Sequence, residues 1–351
     1  MGTCSEHSSE DARSPWLGAI SMKSCPVCGG RSVAWVRVFD RQGIASGEWT
    51  LRRCEACGAG FLDPMPSLEE TQGFYPETYY AYTPPTLPTP PKNPIKRWEW
   101  RWRTQRLAAR LHALGYPVDP PAKAWRILAR MFPPRSEIPP FREGVLLDVG
   151  CGSGAYLLQM KQWGWQVKGV EPNRQAARAA KAAGLDVFAG FLREANLPPE
   201  SVAMVRMNDV LEHIPDPVEE MQEVARILEP RGIVEITTPN LDSWSFALFR
   251  GYWFPLETPR HLILFTPRAL KKLADQVGLE IVELKIWSYK EVDVLPSIGA
   301  WLSDHAPRLA EVWNNTRWLQ KGVRKLITPV KVLGDALGKG SAITVRMRKP
   351  A

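Results

Sequence analysis

Two groups of residues in this 351-residue chain have types and spacings that do chemistry. The first is four cysteines in two pairs, Cys25-x-x-Cys28 and Cys54-x-x-Cys57, each in a glycine-containing turn. Thiolates so spaced suit a tetrahedral metal, and glycine lets backbone amides turn in towards the sulfurs. A four-cysteine site is closed, so the expected metal is structural zinc. The second is Leu147-Asp148-Val149-Gly150-Cys151-Gly152-Ser153-Gly154, an apolar strand running into a glycine turn and then a helix. Glycine removes the Cβ that keeps a ligand off the backbone, and the helix start presents free amides. Glu171 follows Gly154 by seventeen residues, where a carboxylate can accept both hydroxyls of a ribose. Gly150-x-Gly152-x-x-Ala155 also fits a dinucleotide, so an NAD-dependent oxidoreductase competes. Asp148 speaks against it: a carboxylate there repels a pyrophosphate but suits a sulfonium amino acid.

Two later runs add candidates. Asn208-Asp209-Val210-Leu211-Glu212-His213 gathers ionisable groups after an apolar strand, and Pro259-Arg260-His261-Leu262 places a histidine in a loop. His261 is the first candidate general base, because it follows a strand on the ligand side of a parallel sheet. His213 is the second, and reads equally as a structural hydrogen-bonder at a helix start. Asp209, Glu212 and His213 have donor types for a divalent metal, although acid-rich helix starts are common for dipole reasons alone.

Positioning these groups requires a parallel sheet. From Gly144 the chain alternates strand and helix patterns, with strands at Val145–Val149, Gln166–Glu171, Asp186–Ala189, Val202–Met207, Gly232–Thr238, Leu279–Trp287 and Ser341–Arg348. Thr266-Pro267 is an N-cap followed by proline at the first helical position. Residues 24–62 read as a self-contained zinc ribbon, two knuckles joined by a hairpin. Residues 63–135 are an aromatic and proline-rich linker with a basic helix from Ile95 to Leu114. Residues 136–351 form the main domain, with a helical insert at about 291–338 carrying Trp301, Trp313 and Trp318. There Val323, Leu326, Ile327, Val330 and Leu337 form one stripe beside Lys321, Arg324, Lys325 and Lys331. The plain reading is a lid packed on the domain; the sharper one is an interfacial helix touching a membrane or a lipid-linked substrate.

The net charge of +8 favours anionic partners without choosing among them. No apolar run is long enough to span a bilayer, and Met1–Ala19 lacks the pattern of a signal peptide. The expectation is a cytoplasmic protein with a disordered N-terminus over residues 1–23 and, on the sharper reading of the insert, peripheral membrane contact.

In the glycine loop, Gly169-Val170-Glu171-Pro172, the Asn208–Pro217 run and Pro259–Pro267, the chain resembles class I S-adenosylmethionine-dependent methyltransferases related to the ubiquinone-biosynthesis O-methyltransferases. The ribbon and Tyr75-Pro76-x-x-Tyr79-Tyr80 resemble bacterial sugar C-methyltransferases, which carry a similar zinc module. The resemblance implies an α/β fold: a Rossmann-like seven-stranded sheet with helices on both faces and its last strand antiparallel. It implies that Asp148, Gly150 and Gly152 contact the methionine part of the donor, with Cys151 and Gly154 completing the loop. Glu171 would hold the ribose, Phe191 and Leu192 the adenine, and Asn208 the methionine amine. Two departures, Val202-Ala203 where relatives have Phe-Asp and Pro230-Arg231-Gly232 where they have Pro-Gly-Gly, bear on the subfamily.

The expected function is methyl transfer to an oxygen or carbon of a small molecule or a glycan or lipid-linked acceptor. An RNA acceptor ranks behind, because the basic residues are spread along the chain and no aromatic RNA-binding motif stands out. A non-catalytic zinc-ribbon adaptor is opposed by the intact glycine loop and Glu171. The acceptor and the oligomeric state are not legible.

Overall fold

The structure is a computed structural model that describes residues 23–351 apart from residues 46, 68–69, 72, 76–82, 84–87, 120–121, 123–124, 126–137 and 290–292. Tyr79, Tyr80, parts of the proline-rich segments and the first 22 residues lie outside the described residues. Three strands open the chain: β1 (Ser32–Phe39), β2 (Glu48–Cys54) and β3 (Gly60–Asp63). A basic helix, α1 (Pro94–Ala113), follows, its first turn capped by the Asn93 side chain. Then come β4 (Val145–Val149), α2 (Ala155–Gln162), β5 (Gln166–Glu171), α3 (Arg174–Ala182), β6 (Val187–Ala189), β7 (Val202–Asn208), α4 (Pro217–Ile227) and β8 (Leu228–Pro239). The rest is α5 (Trp244–Phe249), β9 (Ile263–Leu264), α6 (Pro267–Gln276), β10 (Glu280–Trp287), α7 (Val294–His305), α8 (Pro307–Asn315), α9 (Arg317–Ala336) and β11 (Ala342–Arg348).

Seven strands form the central sheet in the order β10-β11-β8-β7-β4-β5-β6, with β11 antiparallel to both neighbours. This is the Rossmann-like seven-stranded sheet, its last strand antiparallel, that the resemblance implies. The order reverses at β4, which pairs with β5 on one side and β7 on the other. Such a reversal opens a crevice beyond the carboxyl ends of the strands. Side-chain alternation feeds two cores. Leu146 and Met204 pack on one face with Leu157 and Met160 of α2 and Ala177 and Ala180 of α3. Leu147, Val149, Val205 and Met207 pack on the other with Met221 and Val224 of α4 and Leu270 and Leu273 of α6. Strand periodicity of two assigns each residue to its face. Asp148 and Arg206, register partners, therefore share the α2 face.

Local caps set the helices. The Asn173 side chain accepts the amides of Gln175 and Ala176, Asp216 accepts that of Glu219, and Thr266 accepts that of Ala269 just ahead of Pro267. One boundary differs from the sequence reading. The strand expected from Gly232 begins at Leu228, directly off α4, and Pro230-Arg231-Gly232 lies in an irregularity where pairing jumps from Leu228 to Ile233. Arg231, at φ +61°, takes the left-handed position of that bulge.

Residues 24–62 were expected to stand alone, and they do not. Their sheet has the order β1-β2-β3-β9, so its fourth strand comes from the chain just after His261. The Thr266 hydroxyl donates to the Cys57 carbonyl at 2.9 Å, and the ribbon's buried side chains share a core with Leu262–Phe265. A short hairpin has little apolar area to bury, and the larger domain supplies it. The insert is three helices, α7 to α9. Its expected stripe divides, with Leu326, Val330 and Leu337 exposed and Val323 and Ile327 half-buried. No helix among the described residues is long and apolar enough to cross a membrane.

Candidate active site and metal centre

The glycine loop leaves the end of β4 at the switch point. Gly150 has φ +69°, and a Cβ there would sit 2.6 Å from Val210 Cγ2, so both the turn and the close approach require glycine. Gly152, at φ +55°, donates its amide to Glu171 Oε2 at 2.7 Å. Glu171 Oε1 accepts the amide of Asn173 at 2.8 Å. Glu171 thus ties the loop to the start of α3. Burial pushes its carboxyl above the usual range, and the two amides pull the other way.

A cavity of about 1010 Å³ opens at this point. Of the sequence candidates, Gly150, Gly152, Glu171, Phe191, Leu192, Asn208, His213 and His261 line it. Asp148, Cys151 and Gly154 do not. Asp148, expected against the methionine part, is buried on the α2 face, where it accepts from Arg206 Nη1 at 2.9 Å. That guanidinium lies 3.9 Å over the Tyr156 ring. Cys151 points back against β5, its Sγ 2.7 Å from where a Gly169 Cβ would stand. Gly154 is the left-handed N-cap of α2, where a Cβ would meet Leu185 Cδ1 at 2.3 Å. These three shape the loop from behind.

The two histidines come together, with ring centroids 4.7 Å apart, edge to face. His261 is buried, and its Nδ1 lies 2.7 Å from the Pro255 carbonyl. His213 Nδ1 lies 2.9 Å from the Arg260 carbonyl and 3.1 Å from the Tyr75 hydroxyl. A carbonyl only accepts, so Nδ1 carries the proton in both rings and Nε2 is the basic atom. Burial lowers His213 to about 3 and His261 to about 4, so both are neutral at pH 7.

Sequence reasoning missed Tyr289 and Gln42, and gave no site role to Arg260 and Tyr75, which it named only within motifs; all four line this cavity. The Tyr289 hydroxyl donates to Asp209 Oδ1 at 2.7 Å, and Asn208 Nδ2 donates to Asp209 Oδ2 at 2.7 Å. Tyr289 follows β10, a strand parallel to β4, so its place at a carboxyl end was a usable signal. Arg260 donates from Nη1 to Gln42 Oε1 at 2.9 Å and from Nε to the Phe74 carbonyl at 2.9 Å. No sequence pattern announces that link between the ribbon turn and the site.

Two clusters of metal-ligating atoms occur among the described residues. In the first, Cys25 Sγ and Cys57 Sγ are 3.7 Å apart and Cys28 Sγ and Cys54 Sγ 3.6 Å apart. A tetrahedral zinc with bonds of about 2.3 Å spaces its sulfurs by roughly 3.8 Å, so the four fit it. Amides of Val27 and Cys57 point at Cys25 Sγ and Cys54 Sγ, each at 3.4 Å. In the second cluster, donor atoms of Glu212, His213 and His261 lie within 4.8 Å of one another. Glu212 is fully buried and neither carboxylate oxygen has a partner of good hydrogen-bond geometry; burial, then the neighbouring Asp209, pushes its carboxyl well up, and Thr238 opposes that weakly. Asp209, read from sequence as a member of this group, is engaged by Tyr289 and Asn208, and His261 stands in its place.

Residues 100–284 match the family model described as "Methyltransferase domain". Among similar curated proteins is a ubiquinone biosynthesis O-methyltransferase of Cupriavidus pinatubonensis, 27% identical over 167 residues, covering 44% of this chain and 67% of that protein. One from Nitrosospira multiformis is 28% identical over 192 residues, 48% of this chain and 80% of the relative. Among solved structures, a SAM-dependent methyltransferase of Methanosarcina mazei aligns with a TM-score of 0.41 at 18% identity, covering 60% of this chain and 94% of that one.

Proposed function

The chain belongs to the methyltransferase-domain family and is an S-adenosylmethionine-dependent methyltransferase, and from that premise we propose that it methylates a hydroxyl oxygen of a small-molecule acceptor. The observation that carries this reading is one cavity whose wall holds both the Gly150–Glu171 donor elements and two neutral histidines, His213 and His261. A volume of about 1010 Å³ accommodates a nucleoside donor with a small acceptor beside it. The relatives' names, which specify O-methylation in ubiquinone biosynthesis, point the same way.

Bound S-adenosylmethionine supplies a methyl group already activated on a sulfonium. The chain has three tasks. Gly150 and Gly152 let the backbone meet the donor without a Cβ in the way, and Glu171 turns its carboxylate to the ribose, with Phe191 and Leu192 beside the adenine and Asn208 at the amine. His261 Nε2 would take the acceptor proton as the acceptor oxygen bonds to the methyl carbon, the methyl–sulfur bond breaks and the neutral thioether leaves. Arg260 anchors the ribbon turn at the cavity wall through Gln42, which limits the water that reaches the acceptor. In this reading Cys25, Cys28, Cys54 and Cys57 hold structural zinc, which fixes the ribbon and with it that wall.

The unsatisfied carboxylate of Glu212 favours a second reading of the same chemistry. A divalent cation on Glu212, His213 and His261 would supply Lewis acidity towards the acceptor oxygen. Methyl transfer from labelled donor to a panel of phenols, catechols and sugar hydroxyls, with and without EDTA, tests the proposal. Transfer to oxygen that resists EDTA supports the histidine base, and transfer that needs a divalent ion supports the second reading. Products methylated only on carbon, or only on RNA, refute oxygen methylation.

A further inference from the structure

A second cavity, also about 1010 Å³, shares Gln42, Phe254 and Glu257 with the first and runs under the helical insert. Aromatic side chains, among them Tyr252 and Trp313, form its walls. Along its edge α9 presents Arg317, Lys321 and Arg324, spaced i, i+4, i+7 and therefore on one helical face. The carboxylates of this cavity are already engaged. Asp304 pairs with Arg41 at 3.0 Å, and Asp40 accepts amides of its own turn, from Gln42 at 2.7 Å and Ala45 at 2.7 Å. Glu257 stands 3.8 Å from Arg260, on the side of the first cavity. Arg317 and Lys321 make no ion pair among the described residues, so the edge has uncompensated positive charge. Thr258, on the same wall, buries a hydroxyl with no hydrogen-bond partner.

We infer that this cavity binds a diphosphate-bearing tail of the acceptor, with Arg317, Lys321 and Arg324 on the phosphates and the aromatic wall on the group beyond them. The inference rests on the proposed reading, in which the first cavity takes the acceptor's reactive end. Seven residues of helix place the outer two cations roughly 10 Å apart along the axis. A lone carboxylate balances one of them; two linked phosphates bring enough negative charge for the set, towards which the long side chains can converge, and guanidinium groups match phosphate oxygens two at a time. The group beyond the phosphates is either a nucleoside or a prenyl chain, laid along the apolar lining that includes Leu295, Pro296 and Ala300.

Isothermal titration of the full-length chain, in the presence of S-adenosylhomocysteine, with inorganic pyrophosphate, UDP and farnesyl diphosphate decides the matter. Binding of UDP or farnesyl diphosphate is expected at micromolar concentration, tighter than pyrophosphate, and whichever is tighter identifies the nucleoside or the prenyl tail. The paired substitution Arg317→Glu, Lys321→Glu, on exposed positions, should weaken that binding by roughly tenfold or more while S-adenosylhomocysteine affinity is unchanged. If none of the three diphosphates binds, or if the paired variant binds as the parent does, the inference is overturned although S-adenosylhomocysteine still binds. Loss of S-adenosylhomocysteine binding by the unmodified chain would instead remove the reading of the first cavity.

Discussion

Asp148 and Arg206 face each other across neighbouring parallel strands and share an ion pair of 2.9 Å, buried under the Tyr156 ring. This pair sits beneath the donor loop and not in it. Burial, with a smaller push from Glu235, raises the Asp148 carboxyl, and Arg206 opposes that rise. Of the two acids it is Glu171 that lines the cavity, fixed by the amides of Gly152 and Asn173.

The two acids should therefore fail differently. Asp148→Ala strands the Arg206 guanidinium in a largely buried position and should cost about 3 kcal/mol of stability. Its effect on donor affinity should be the smaller one. Glu171→Ala should weaken S-adenosylhomocysteine binding by roughly tenfold to a hundredfold, the loss of a charge-assisted bond to a ribose, with a milder thermal effect. Titration and thermal melts on both variants measure the contrast. Equal losses of affinity would return Asp148 to the donor.

On the proposed reading the histidines divide the chemistry. His261→Gln should lower kcat by roughly a hundredfold to ten-thousandfold with donor affinity within a factor of about two. His213→Gln should have a smaller effect on kcat if His213 orients and His261 takes the proton. Steady-state kinetics on the best acceptor separates them, and a larger kcat loss at His213 would reverse the assignment.

The contrast between Asp148 and Glu171 also shows what a sequence can and cannot reveal. The sheet, its helices and their caps were legible because apolar period, glycine position and Thr266-Pro267 each act within a few residues. So were the loop and the two histidines, which follow strands at their carboxyl ends. The ion-pair partner of Asp148 was not, because it depends on the register with β7 that sets Arg206 opposite it. Nor was the dependence of the ribbon on β9, a two-residue strand with no pattern of its own. Arg260 reaching Gln42, and Tyr289 reaching Asp209, join residues more than 75 positions apart. Nothing local encodes such contacts.

Because β3 pairs with β9 and Thr266 bonds to Cys57, loss of metal from the four cysteines should reach the active site. Cys54→Ser, or treatment with a strong chelator, should lower the melting temperature by on the order of 10 °C. Activity should fall with it, since β9 begins two residues after His261. Metal content by mass spectrometry, with melts before and after chelation, checks this. One bound zinc per chain is expected, and a melt indifferent to chelation and to Cys54→Ser would show that the ribbon needs no metal.

Buried neutral histidines also fix a pH dependence. His261 falls from an ordinary 6.5 to about 4 on folding, chiefly through burial. The folded state thus binds fewer protons than the unfolded one between those values. Its stabilising contribution is complete above about pH 6.5 and is lost as pH falls towards 4, at on the order of 1 kcal/mol per pH unit. The raised carboxyls of Glu171 and Glu212 have the opposite sign, gaining stability as pH falls, so the total curve does not isolate the histidine. A difference does. The stability advantage of the native chain over His261→Gln, measured by denaturant unfolding, should shrink steadily from pH 6.5 to pH 4. For catalysis the same depression keeps Nε2 unprotonated, so the acid limb of kcat/KM should lie below about pH 5 and not near 6.5. A constant stability gap together with an acid limb at 6.5 would mean that His261 is solvated and titrates normally.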